Sequence, residues 1–164
     1  MSQKPALRPE LAVGEALRAI AHDILSDARA AITGMGVATT PMQILRAALE
    51  SVALQFRNIY DIMERSIAKP KRVIASGGAL LHSPAWTCMM ADALSRPVVA
   101  CLEAEATSRG AALLALERLG VIDDIRKFPP RTGTVYQPEP GHWPIYSDEL
   151  RRQRALYHHL FEER

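Results

Sequence analysis

The stretch Arg72-Val-Ile-Ala-Ser-Gly77-Gly78-Ala-Leu-Leu-His-Ser83-Pro84-Ala-Trp86 carries a short apolar run into a glycine pair and then into a helix start. A strand ending in this way brings bare backbone close to a ligand. Ser83-Pro84 reads as a hydroxyl cap followed by proline at the first helical position, which leaves unpaired amides at that helix end to face polar groups of a nucleotide. Glycine at a strand-to-helix turn also serves packing alone, so these residues by themselves leave both readings open.

Working outward, the pattern predicts strand and helix in alternation. Upstream, Thr40-Pro41-Met42-Gln43 combines an N-cap, an N1 proline and a capping-box glutamine, and apolar residues at Leu45, Leu49, Val52, Phe56, Ile59 and Met63 predict a helix to about Ile67. Ala30 to Met35 reads as a short strand closed by Gly34, and residues up to Ser26 as a helix with Leu17, Ile20, Ala21 and Ile24 on one face. Downstream, Trp86, Met89, Met90, Ala93 and Leu94 share a helical face, and Arg96-Pro97 opens the strand 98–101. A helix over 111–119 is capped by Gly120. Five prolines between Phe128 and Pro144 predict an ordered but irregular crossing, and a closing helix begins near Ser147. Alternation of this kind implies α/β layering.

Composition narrows the function classes. A chain of 164 residues that is 48% hydrophobic buries one ordinary core. Its net charge of +2, with dispersed Lys and Arg, points away from nucleic acid or a membrane surface as the main partner. Arg151, Arg152 and Arg154 alternate with acids and read as a solvated helix face. Cys88 and Cys101 fall in apolar runs outside any Cys-x-x-Cys spacing, as buried thiols in a reducing cytoplasm would. No apolar run approaches the ~20 residues of a membrane span, and the start lacks a leader-like apolar core. The expected location is the cytoplasm.

No residue set reads as catalytic or metal-binding. Asp61, Asp92, Asp123 and Asp124 read as surface or capping acids. His82, beside the glycine turn, reads as a solvent-facing loop residue, and His158 and His159 are adjacent on a helix and point apart.

Three blocks in order resemble the C-terminal domain of the FGGY carbohydrate kinases. They are Ala30-x-Ile32-x-Gly34-Met35 with Gln43-Ile44 and Ala47-Ala48-Leu49-Glu50; Ala75-Ser76-Gly77-Gly78-Ala79 through Ser83-Pro84-Ala85-Trp86 to Ala91-Asp92; and Arg96-Pro97-Val98 with Glu105-Ala106-Thr107 and Gly110-Ala111-Ala112. Within the family the blocks look gluconokinase-like or xylulokinase-like. The resemblance covers about 27–120 and implies an α/β, ribonuclease H-like, actin-like ATPase domain. It divides the chain into a divergent helical segment, 1–26, the family's C-terminal domain, 27–127, and a proline-rich crossing with the closing helix of that domain, 128–164.

By the same resemblance, Gly77, Gly78 and Ala79 would lie along the adenosine of ATP. Ser83 and Trp86 would sit on the helix that follows, and Gly34 at a strand turn on the phosphate side, with magnesium held through the ATP phosphates. Complete members are far longer and carry a sugar-binding domain with the catalytic aspartate, which this sequence does not show. The chain is therefore expected to be the nucleotide-binding half of an ATP-dependent kinase for a sugar or sugar acid of the gluconate type, inactive alone, the other half either coming from a separate chain or lost by truncation of the gene. The alternative is a non-catalytic module of the same fold that self-associates, and a homodimer fits either.

Overall fold

Proline lacks one of the amides that a helix's first turn leaves unpaired, and a Thr-x-x-Gln box satisfies two of the others. In the computed structural model, which describes residues 30–66 and 70–162, this box opens α1, Pro41–Ser66. The Thr40 amide donates to Gln43 Oε1 at 2.8 Å, and the Gln43 amide donates to Thr40 Oγ1 at 3.3 Å. Helix α1 carries its own ion pairs at i, i+4, Arg46 to Glu50 and Arg57 to Asp61.

The chain divides into two compact units. One comprises residues up to 71 together with 144–164, the other residues 72–143. In the first, α1 lies against the closing helix, Trp143–Tyr157, called α5 below after the helices that precede it. The Tyr146 hydroxyl donates to Glu50 at 3.4 Å, Gln153 Nε2 to the Ser51 carbonyl at 3.2 Å, and Arg154 to Asn58 and Asp61, both at 2.7 Å. Tyr146 and Leu150 are buried on α5, Ala53 and Leu54 on α1. A wider helical turn, His158–Glu162, follows α5.

The second unit holds a three-stranded sheet in the order β1-β2-β3, with β1 Val73–Ala75, β2 Val98–Cys101 and β3 Thr132–Tyr136. Strand β1 runs parallel to β2, and β3 antiparallel to it with a register shift between Val99 and Cys101. Between β1 and β2 come α2, Gly78–Leu81, and α3, Pro84–Leu94; α4, Ala106–Arg118, follows β2. Val98, Val99, Cys101 and Ala75 of the sheet and Thr87, Met90, Ala91, Ala93 and Leu94 of α3 form the core.

Several sequence expectations are corrected. Residues 30–36 form no strand. Ile32 is 62% exposed, and among the described residues nothing pairs with this backbone as a sheet neighbour. Gly34 keeps a positive φ of 77°, and a turn closes just after it, with the Thr39 amide donating to the Gly36 carbonyl at 3.0 Å. The proline-rich crossing contains β3, because the prolines flank Thr132–Tyr136 and leave its amides free to pair with β2.

Helix α4 starts at Ala106, five residues before the expected Ala111. Helix α5 starts at Trp143, since Pro144 in a first turn costs no hydrogen bond. Cys101 is buried but Cys88 is exposed, on the α3 stripe it shares with Pro84 and Ala85. The helix expected before Ser26 lies outside the described residues.

Candidate functional site

The glycine turn is the site that the structure builds most explicitly. Strand β1 ends at Ala75, and Gly77 takes φ 102° and ψ 134°, a conformation open to glycine and strained for any L side chain. A Cβ placed at Gly77 meets nothing within 4 Å. Ser76, Gly77, Gly78 and Ala79 are all exposed, so they form an open backbone ledge at the end of a strand.

The short helix α2 was not read from the sequence, and it sets the ledge's far wall. The Leu81 amide donates to the Gly77 carbonyl at 3.1 Å, which folds Gly78–Leu81 into one turn and brings His82 back over it. His82 Nδ1 lies 2.7 Å from the Gly78 carbonyl. A carbonyl only accepts, so Nδ1 carries the proton and a neutral imidazole leaves Nε2 as an acceptor. The ring also sits 3.5 Å from where a Gly78 Cβ would stand. His82 is exposed as expected, but it borders the ledge instead of trailing into a loop.

Ser83 begins α3 without the side-chain cap that its position suggested. Thr87 does that tying instead. Its fully buried hydroxyl lies 2.9 Å from the Leu80 carbonyl and 3.1 Å from that of Ser83, which pins α2 to α3. Trp86, on the first turn of α3, is half-buried. The structure thus brings Gly77, Gly78, Ala79, Ser83 and Trp86 into one strand-to-helix connection. Gly34 belongs to the other unit.

Asp92 is the second correction at the site. It is 8% exposed and not a surface acid. Its Oδ1 accepts the Glu139 amide at 2.7 Å and its Oδ2 faces His142 Nδ1 at 2.8 Å, so the carboxylate ties α3 to the crossing segment 137–142. Asp61 is also more enclosed than expected, between Arg57 and Arg154. Asp123 and Asp124 remain local partners of Lys127 and Arg126. Among the described residues no three His, Cys, Asp or Glu side chains gather as a metal site, and no helix is long and apolar enough to cross a membrane.

Against known proteins, residues 11–117 match the C-terminal domain of the FGGY family of carbohydrate kinases. The chain belongs to this family. As an FGGY domain it is 32% identical over 126 residues to glycerol kinase 1 of Thermotoga maritima, covering 77% of this chain and 25% of that protein. It is 42% identical over 95 residues to a glycerol kinase of Leptospira biflexa, covering 56% of this chain and 19% of the relative. Its backbone matches xylulose kinase of Rhodospirillum rubrum with a TM-score of 0.71 at 29% identity, over 94% of this chain and 36% of that one. It also matches Plasmodium falciparum glycerol kinase, solved with ADP, with a TM-score of 0.64 at 25% identity, over 83% of this chain and 28% of that one. The FGGY chain therefore has the α/β, actin-like ATPase fold, and it spans about a quarter of the curated relatives it matches.

Proposed function

We propose that this chain supplies the nucleotide side of an ATP-dependent carbohydrate kinase. The observation that carries the reading is the ledge: exposed backbone at Ser76–Ala79, unobstructed at Gly77, at the carboxyl end of a strand. Ligands of open α/β sheets bind outside such strand ends. Adenosine would lie along Gly77, Gly78 and Ala79, beside Ser83 and Trp86. Magnesium would arrive on the ATP phosphates. What the chain's own residues contribute is binding and orientation, which are the larger share of catalysis in phosphoryl transfer.

The acceptor is a hydroxyl of a small polyhydroxylated compound. The sequence blocks favour a sugar acid of the gluconate type, and the relatives named above as glycerol and xylulose kinases widen the set to be tested. Titration calorimetry with MgATP and MgADP tests the nucleotide reading. Binding to the wild-type chain that is lost in Gly77→Val supports it, and absence of heat from either nucleotide overturns it. ADP formation with gluconate, xylulose or glycerol as acceptor is expected to stay at background for the chain alone. Clear turnover would overturn the reading that these residues supply the nucleotide side only.

A second reading, a non-catalytic self-associating module of the same fold, draws on a different observation: the large apolar side chains exposed along α1.

A further inference from the structure

Within the first unit, residues of α1 and α5 line a polar groove of about 610 Å³, a volume that suits a small organic molecule. Most of its polar groups already have partners. Asp61 accepts Arg57 on Oδ1 at 2.8 Å and Arg154 on Oδ2 at 2.7 Å, and Asn58 Oδ1 accepts Arg154 Nε at 2.7 Å. Two lining groups are left unmatched. Gln153 Nε2 donates to the Ser51 carbonyl at 3.2 Å, and because that carbonyl only accepts, the amide cannot be turned over. Its Oε1 is therefore left buried and without a hydrogen-bond partner, a rare state for a buried acceptor. Arg65, in the last turn of α1, makes no ion pair among the described residues. Asp61 is the single acid of the lining against Arg65 and Arg154, so the groove is positive. His158, on the same wall, begins the wider turn after α5, an uncommon winding that recurs at functional sites.

We propose that this groove binds a small hydroxylated anion, a carboxylate or phosphate that also carries free hydroxyl groups. Arg65 presents a planar fork of donors that matches either oxyanion. Gln153 Oε1 needs the opposite partner, a donor, and a hydroxyl supplies it. A single hydrogen bond holds the Gln153 amide, so a small rotation turns its oxygen toward a ligand in the groove. A simple ion or a neutral polyol meets only half of this demand, since sulfate brings no donor and a polyol brings Arg65 no charge. Asp61 does not repel the anion, because the arginines on its two oxygens offset its charge. The groove and the glycine ledge belong to different units, so this inference does not rest on the nucleotide reading and either can fail alone.

Proton–nitrogen correlation spectra of the 164-residue chain, titrated with ribose 5-phosphate and with tartrate, are the test. Either probe should shift the side-chain amide signals of Gln153 and Asn58 while the backbone amides of Gly77 and Gly78 stay in place, and the tighter of the two tells phosphate from carboxylate. Sulfate and sorbitol should bind at least tenfold more weakly. Arg65→Gln should weaken the better probe at least tenfold, with far-UV ellipticity retained. Gln153→Met, which keeps the side chain's length, should remove the preference for that probe over sulfate, a change in selectivity that a purely structural role for Gln153 would not produce. Four results would each overturn the proposal. One is no shift with either probe at millimolar concentration, as when residues 1–29 fill the groove. Another is shifts confined to the glycine ledge. The third is unchanged affinity in the folded Arg65→Gln variant, and the fourth is sulfate binding as well as the hydroxylated probes.

Discussion

Gly77 is the residue on which the candidate site turns, because its φ of 102° admits no other side chain without strain. Since a Cβ there meets nothing, Gly77→Ala separates backbone strain from obstruction. It should lower stability by about 1–3 kcal/mol, read as a shift in the urea midpoint, while Gly77→Val adds bulk on the ledge and abolishes nucleotide binding. Asp92 makes a different claim. Asp92→Ala leaves the Glu139 amide without its acceptor and should cost about 2–3 kcal/mol by urea unfolding, whereas Asp92→Asn keeps one acceptor oxygen and should cost less. The glycine pair was legible in the sequence because its meaning is local. Asp92 was misread because its partners stand 47 and 50 residues away, and nothing beside it in sequence marks a buried carboxylate.

Elements whose signals lie within a few residues were legible in the same way. Helix α1 was found from its capping box and apolar spacing, and the end of α4 from Gly120. There φ is 70°, the Gly120 amide donates to Glu117 and the Val121 amide donates to Leu116. Both ends can be checked by exchange. Thr40→Ala should remove about 1 kcal/mol and raise hydrogen exchange in the first turn of α1. Gly120→Ala, which meets nothing within 4 Å, should cost about 1 kcal/mol from conformation alone and speed exchange at residues 120–122. Strand β3 was missed for a physical reason. Thr132-Gly-Thr-Val-Tyr136 is a weak, glycine-broken pattern that becomes a strand by pairing with β2, and a Cβ at Gly133 would stand 2.7 Å from Leu102 Cδ2, so the exposed Leu102 side chain would have to turn aside. The strand expected at 30–35 failed conversely, since among the described residues no neighbour lies beside it to form a ladder.

At the scale of the whole molecule, three carboxylates among the described residues are held below their usual range by arginines. Glu103 accepts the Arg131 amide and guanidinium, Asp124 the guanidinium and then the amide of Arg126, and Asp148 the guanidinium of Arg151 with help from Arg152. A carboxylate whose folded pKa is depressed contributes stability that is complete above its unfolded pKa and is lost as the pH falls through its folded one. All three lie at the surface, where solvent screens such pairs, so each contribution is small and diminishes with salt. Glu103 and Arg131 are worth isolating, because they join the end of β2 to the start of β3, where the Leu102 amide also donates to the Arg131 carbonyl at 2.9 Å. Both tryptophans, Trp86 and Trp143, belong to residues 72–143, so their fluorescence follows the unit that contains this sheet. Urea midpoints read by tryptophan emission should fall between about pH 7 and pH 3, and the slope should be shallower in Glu103→Gln, whose side chain no longer takes up a proton. An identical slope in the variant would mean that the Glu103 carboxylate adds nothing to the hold between β2 and β3.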